Sequence, residues 1–438
     1  MFRRFAALLG FAALVACSGS DSPTTPPPPQ PAAVDVSADS VTVRQLTSAT
    51  LSATVRDQTG KAFPGATVTW SSARPEVVSV DGAGTLTTGR PGVAWVTASY
   101  GALKDSVRVR VSPLWKRVSV GHRAQAACGL STDGYAFCWG TGGSGELGSL
   151  ASSSQVPVPV QGGHRFVEIA VGFRSVCALE EAGTPWCWGD GSSGQLGNGR
   201  ESGINSPRAV PGTLYLASIV AGEAFYCGAE LTGALYCWGN NHDGELGIDP
   251  VATEVAAPGR FHATLGFSRV SGGATHLCGL TFDGRAYCWG TNALGQLGTG
   301  DRDDWRPPTE VLGVPSTRAI GAGSARSCAL DGSGAPYCWG GSTFSPAPLA
   351  TDVRLATLST GDQLWCGRTA AGETWCGTTS LALVQTQQPF TRVEVGGLQA
   401  CGITTLGELY CWGPNASGAL GTGDFADHPS PTRVVDPD

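Results

Sequence analysis

Fourteen of the fifteen cysteines in this 438-residue chain fall into seven pairs ten positions apart. The pairs are Cys128 and Cys138, Cys177 and Cys187, Cys227 and Cys237, Cys278 and Cys288, Cys328 and Cys338, Cys366 and Cys376, and Cys401 and Cys411. Thiols bind metals, act as nucleophiles or oxidise in pairs. Zinc sites use cysteines about two to four apart and haem attachment needs Cys-x-x-Cys-His; neither pattern occurs here. The six histidines, His122, His164, His242, His262, His276 and His428, stand in no motif with Ser, Cys or carboxylates, although a general acid and base assembled across repeats stays open. The glycine-rich "GTGGSGELG", Gly140 to Gly148, lacks the lysine of a phosphate loop. "NNHDGELG", Asn240 to Gly247, lacks the spaced aspartates and closing glutamate of a calcium loop. We therefore expect no cofactor, no metal and no catalytic centre.

Local geometry favours oxidation in pairs. In "CGLTFDGRAYCWG", Cys278 to Gly290, a loop of Phe282-Asp283-Gly284 joins two antiparallel strands. Such a three-residue loop takes a type I turn closed by a left-handed residue, which glycine adopts at least cost. Thr281 then pairs with Arg285, and counting outward sets Cys278 opposite Cys288. Glycine holds the sixth position after the first cysteine in every copy: Gly134, Gly183, Gly233, Gly284, Gly334, Gly372 and Gly407. Seven local disulfides follow, each stabilising the fold by about 2 to 3 kcal/mol because the loop it closes is short.

The residues beside the second cysteine define the opposite face of its strand. Phe137, Trp186, Tyr236, Tyr287, Tyr337, Trp375 and Tyr410 precede it, and Trp139, Trp188, Trp238, Trp289, Trp339 and Trp412 follow it, with Gly377 as the exception. Alternation along a strand sends these aromatics one way and the cysteine the other. Each unit thus offers aromatics to one neighbour and a disulfide to the next. The repeat of strand-like units points to a propeller or solenoid, and seven units close a propeller.

Other segments must carry and place this array. "MFRRFAALLGFAALVAC" sets Arg3 and Arg4 before an apolar run too short to span a bilayer but suited to a signal peptide. Leu14-Val15-Ala16-Cys17 resembles the lipobox of bacterial lipoproteins, which implies cleavage before Cys17 and lipidation of its thiol. This predicts a signal peptide over 1–16, and localisation in the cell envelope as a membrane-anchored lipoprotein. The Ser/Thr/Pro tract of 17–31 is a tether. Residues 32–112 contain no cysteine and alternate in short apolar runs, the pattern of an antiparallel sandwich. The run from Thr69, with "PEVVSVDGAGTLTTGRPGVAWVTA" from Pro75, resembles the group 2 bacterial immunoglobulin-like domain, a spacer or adhesive module. Trp70 and Trp95 are read as its core.

Gly273, "CGLTFDGRAYCWG" and Gly295-Gln296-Leu297-Gly298 resemble the repeat of the regulator of chromosome condensation family. The tetrapeptide recurs at Gly145, Gly194, Gly244 and Gly418. The fifth and sixth copies lack it and the sixth lacks its Trp, so those two units are expected to be reduced. The resemblance implies a seven-bladed β-propeller over 113–438, and an all-β chain throughout. It also implies a rigid disc whose loops bind another protein. The family's nuclear role on a small GTPase is not carried over, because an exported chain meets none. Charged residues make up only 14% of the chain and the net charge is −7, so no basic stripe for nucleic acid exists. We expect a non-catalytic protein-binding propeller, with membrane contact only through the lipid. A secreted relative of this architecture inhibits β-lactamases, so inhibition of a secreted or periplasmic enzyme is the alternative, and a propeller hydrolase or lyase the second. The candidate partner-binding patch is the loop "TGDRDDWRPP", Thr299 to Pro308, with Asp301, Asp303, Asp304 and Trp305. Exposed aromatics beside charges are common interface anchors; the competing reading folds Trp305 back onto its own unit.

Overall fold

The computed structural model describes residues 27–199, 203–248, 252–261, 265–304, 306–341 and 343–437, and is all-β apart from one short 3₁₀ turn. Cys17, the signal segment and Trp305 lie outside the described residues.

Seven four-stranded antiparallel sheets follow one another, spanning 115–159, 166–209, 218–260, 267–310, 319–348, 357–383 and 390–433. Each is built from four consecutive strands. In the fourth sheet these are Phe267–Gly272, His276–Thr281, Ala286–Gly290 and Arg306–Glu310, running from the inner to the outer edge. The second and third strands form the cysteine hairpin. Gly284 has φ 83°, and the equivalent glycine is left-handed in every other sheet. The register sets Cys278 directly opposite Cys288. All seven bridges join cysteines ten apart, with Cα separations of 4.0 to 4.1 Å.

Packing between sheets follows one rule. The disulfide of each sheet packs against the tryptophan of the next: Cys128 and Cys138 against Trp188, Cys177 and Cys187 against Trp238, Cys227 and Cys237 against Trp289. Cys401 and Cys411 of the last sheet pack against Trp139 of the first. The ring therefore closes face to face. The outer strand His428–Arg433 pairs within its own sheet, so no strand is shared across the closure.

Two expectations are corrected. The fifth and sixth sheets keep four strands each. What they lack is the turn between the third and outer strands, so Gly340 pairs almost at once with Thr343, and Gly377 with Leu381. The missing tryptophan of the sixth sheet is also replaced. Trp365, one residue before Cys366, stands opposite Gly377 across the ladder. It is 2% exposed and fills the same interface, against Cys328, Leu330 and Leu355.

Before the ring come a two-stranded pairing of Pro31–Val36 with Ala53–Asp57, a four-stranded sheet and a three-stranded sheet. Val43, Leu86, Val96, Val107 and Val109 fill the core between the two larger sheets. Trp70 is half-buried against this core, but Trp95 is not core. Ala94 and Val96 take the inward face of Gly92–Tyr100, and Trp95 between them is 51% exposed. The end of the chain ties this region to the ring. Ser112 Oγ donates to Asp436 Oδ2 at 2.6 Å, Arg110 donates to the Asp436 carbonyl at 2.8 Å, and Val434 is buried in the closing interface.

Because Trp365 fills the place of the ring tryptophans, Trp365→Ala should destabilise the protein about as much as Trp238→Ala. Emptying so large a buried site costs roughly 3 to 5 kcal/mol. Urea unfolding of both variants checks this; an unaltered midpoint for Trp365→Ala would show that Gly377 leaves slack in that interface.

Candidate functional site

Gly-x-Leu-Gly turns join neighbouring sheets at one end of the disc. The indole N–H of Trp188 donates to the Glu146 carbonyl at 2.9 Å, Trp238 to Gln195 at 3.0 Å, Trp289 to Glu245 at 3.0 Å and Trp339 to Gln296 at 2.9 Å. Trp139 of the first sheet donates to Ala419 of the last at 2.8 Å. A buried indole N–H needs such a partner. The closing glycine must be bare: a Cβ on Gly298 would lie 2.7 Å from Trp339 Nε1. The Glu or Gln between the glycines turns back on its own loop. Glu245 accepts from Asn240 Nδ2 and the Asp243 N–H, at 2.5 and 2.8 Å. Both its oxygens are thereby engaged within Asn240–Gly247. Burial pushes the carboxyls of Glu146 and Glu245 above the usual carboxylate range, against the hydrogen bonds of their own turns.

The loop read as a partner patch is partly structural. Asn292, fully buried, receives the Asp304 carboxylate on its backbone N–H, and its side-chain amide donates to the carbonyl and carboxylate of Asp301, both at 3.2 Å. The last sheet repeats the device with Asn415, Asp424 and Asp427. Asp301 and Asp304 therefore brace the loop, while Asp303 is exposed. Arg302 lies 4.6 Å over the ring of Phe344 in the next sheet. "NALGQLGTGDRDD" and "NASGALGTGDFAD" carry the signal in the sequence: two copies share Asn and two Asp at one spacing.

Sequence reasoning missed the strap across one mouth of the ring. In the second sheet the inner turn leaves two residues, 173–174, between Gly172 and Ser175; in the first it leaves four, 122–125, between Gly121 and Ala126. The extra length lets the turn reach past its neighbours. His122 Nε2 donates to the Ala221 carbonyl of the third sheet at 3.2 Å, and Nδ1 lies 3.6 Å from Asp362 of the sixth. Arg123, in the left-handed region at φ 60°, pairs with Glu223 of the third sheet at 2.7 Å. The guanidinium groups of Arg123 and Arg174 each lie 5.0 Å from the Phe173 ring centre. Beside them a cavity of about 240 Å³ is lined by Arg174, Asp190, Ser192, Glu223 and Asn240. Arg123 stays largely exposed, with a side chain 60% open. A cation-backed aromatic with a charged rim has the composition of a protein-binding surface.

The histidines do not converge on a reaction centre among the described residues. His164 lies against Trp186 and Glu180, His242 beside Asp243 and His428 beside Asp424. His276 is fully buried in a relay: its Nε2 meets Ser327 Oγ at 2.8 Å, and that hydroxyl donates to the Gln296 carbonyl at 2.8 Å. Ser327 spends its proton on the carbonyl, so His276 Nε2–H donates to Ser327 Oγ. Burial, helped by the charge of His122, lowers its pKa to about 3. An unfolded histidine binds a proton near pH 6.5. Below that pH the unfolded chain takes up a proton that the native chain refuses, so stability is present above it and is lost as pH falls toward 3. His276→Gln should flatten the fall in unfolding free energy between pH 6 and 4 by about 1.4 kcal/mol per pH unit. Denaturant titrations at the two pH values test this; equal slopes would place the proton elsewhere.

The regulator of chromosome condensation (RCC1) repeat matches residues 217–245, 267–296, 283–330 and 407–438. The ultraviolet-B receptor UVR8 of Arabidopsis thaliana is 28% identical over 222 residues, 43% of this chain and 49% of that protein. The chain thus spans about half the length of this relative. Among solved structures, human WBSCR16 superposes with a TM-score of 0.64 at 19% identity, over 69% of this chain and 94% of that one. Prp20p from Saccharomyces cerevisiae, described together with its binding to Gsp1p and histones, gives 0.62 at 20% identity, over 70% and 87%. These likenesses establish an RCC1-type propeller fold.

Proposed function

We propose that this RCC1-repeat protein is a seven-bladed, non-catalytic protein-binding propeller on the cell envelope, held by lipid on Cys17 through the 17–31 tether and an immunoglobulin-like spacer over 32–112. The observation that carries the location is the set of seven buried bridges. Disulfides persist in exported compartments and are reduced in the cytosol, so a cytosolic chain has no use for seven of them. The signal segment and the lipobox-like Leu14 to Cys17 agree with that compartment. Binding is supported by the strapped mouth, where Phe173 between Arg123 and Arg174 offers an anchor on a rigid frame. It is supported too by the fold's use in Prp20p, whose partners include Gsp1p and histones.

Cys17→Ser should move the protein from the membrane to the soluble fraction on cell fractionation; a variant that stays membrane-bound at unchanged mass contradicts the anchor. The same soluble variant serves as bait for envelope proteins of its source. Recovery of a single tight enzyme would turn the reading from scaffold to inhibitor. With a partner in hand, Arg123→Ala should weaken binding by about 2 kcal/mol if the strapped mouth is the anchor, read by calorimetry; unchanged affinity would move the interface elsewhere on the disc.

A further inference from the structure

The strap crosses a central channel. Its walls are the inner strands of all seven sheets, and they enclose a cavity of about 400 Å³, within the range of small-molecule sites. Corresponding positions on the seven strands form rings. By ladder register Arg269 corresponds to Arg117, Glu168, Ser218, Ala319, Thr357 and Arg392, and Ser271, opposite the first cysteine of its hairpin, corresponds to Ser119, Ala170, Val220, Gly321, Ser359 and Glu394. Three arginines therefore face two glutamates.

The charges are unevenly shared. Arg117 pairs with Glu168 at 2.5 Å and Arg392 lies 3.5 Å from Glu394, all on the adjoining seventh, first and second sheets. Burial, then the charge of Arg392, holds the Arg117 guanidinium below its ordinary pKa against the opposing pull of Glu168 and Glu394, so each arginine on this side already has a carboxylate beside it. Arg269 stands apart on the fourth sheet. Its neighbours in the ring are Ser218 and Ala319, it is exposed to the channel, and no described residue pairs with it. The serines below supply further donors. Ser119 Oγ accepts the Val171 N–H at 3.1 Å and Ser271 Oγ accepts the Ala322 N–H at 2.9 Å. Each hydroxyl is left with a proton to give, whereas the matching Ser359 gives its proton to Glu394 at 3.1 Å.

We propose that the channel is a binding site for a small oxyanion, a carboxylate or a phosphate, seated against Arg269 and the Ser271 hydroxyl. An unpaired guanidinium presents a planar fork of donors matched to two oxygens of one anion. Partial enclosure strengthens that attraction over its value in water. The strap limits the site to ligands that enter from the opposite mouth.

The full-length purified protein is titrated with inorganic phosphate and, separately, with succinate, at constant ionic strength set by chloride, using calorimetry and thermal melting. Saturable binding of either is expected. Response to phosphate alone assigns a phosphoryl ligand, and response to succinate alone a carboxylate. Arg269→Gln should lower the affinity at least tenfold, while Arg208→Gln on an exposed outer strand leaves it unchanged. A measurement on the unmodified protein runs alongside: the bound anion should protect Arg269, but not Arg208, from phenylglyoxal, read by peptide mass mapping. No saturable binding of either anion, or binding that neither protects Arg269 nor needs it, overturns the proposal.

Discussion

The third strand of every sheet must serve two neighbours at once, and the structure depends on this constraint. Its cysteine faces the sheet that follows, and the residue beside it faces the sheet that precedes. The hairpin disulfide fixes the strand against sliding, so the indole meets its acceptor carbonyl one sheet away at 2.8 to 3.0 Å. A slip by one residue would exchange the two faces and break both contacts. The ring closes by the same contact, between Trp139 and Ala419 at opposite ends of the array. No exchanged strand is needed to hold it.

Variation follows the same logic. The fifth sheet has lost the turn whose carbonyl would receive an indole, and the sixth has Gly377 where that indole would arise. Donor and acceptor have gone together. Trp365 restores the lost bulk from the adjacent strand, but its Nε1 is buried without a partner. Volume has been recovered there and the hydrogen bond has not. Because the sheet faces are committed to packing, room for function remains at the rims, in the strap and along the channel.

The hairpins were legible in the sequence because their determinants are local. A left-handed glycine and two cysteines within eleven residues fix the register with no reference to the rest of the chain. The sheet repeat and the Gly-x-Leu-Gly turns were legible because they recur. Features joining distant segments were not. Nothing local in "GHRAQA" says that His122 will meet the third and sixth sheets, and only the two-residue excess over the other inner turns hinted at it. Asp301 and Asp304 read as part of a partner-binding patch, and only the fold sets both of them on Asn292. Trp95 read as core because its hydrophobicity outweighed its phase in the strand; the alternation of Ala94 and Val96 had already assigned it outward. The channel charges, Arg117, Glu168, Arg269, Arg392 and Glu394, come from four inner strands spread over the whole array and become a group only when the ring is closed.

The central claim is that oxidised hairpins hold this ring together in the place where the protein acts. The direct measurement labels free thiols with one alkylating reagent in intact cells of the source organism, then reduces and labels the remainder with a second. The account predicts that all fourteen paired cysteines carry only the second label and that non-reducing peptide maps join Cys128 to Cys138 through to Cys401 to Cys411. First-label adducts at these positions, or bridges between different repeats, would contradict it.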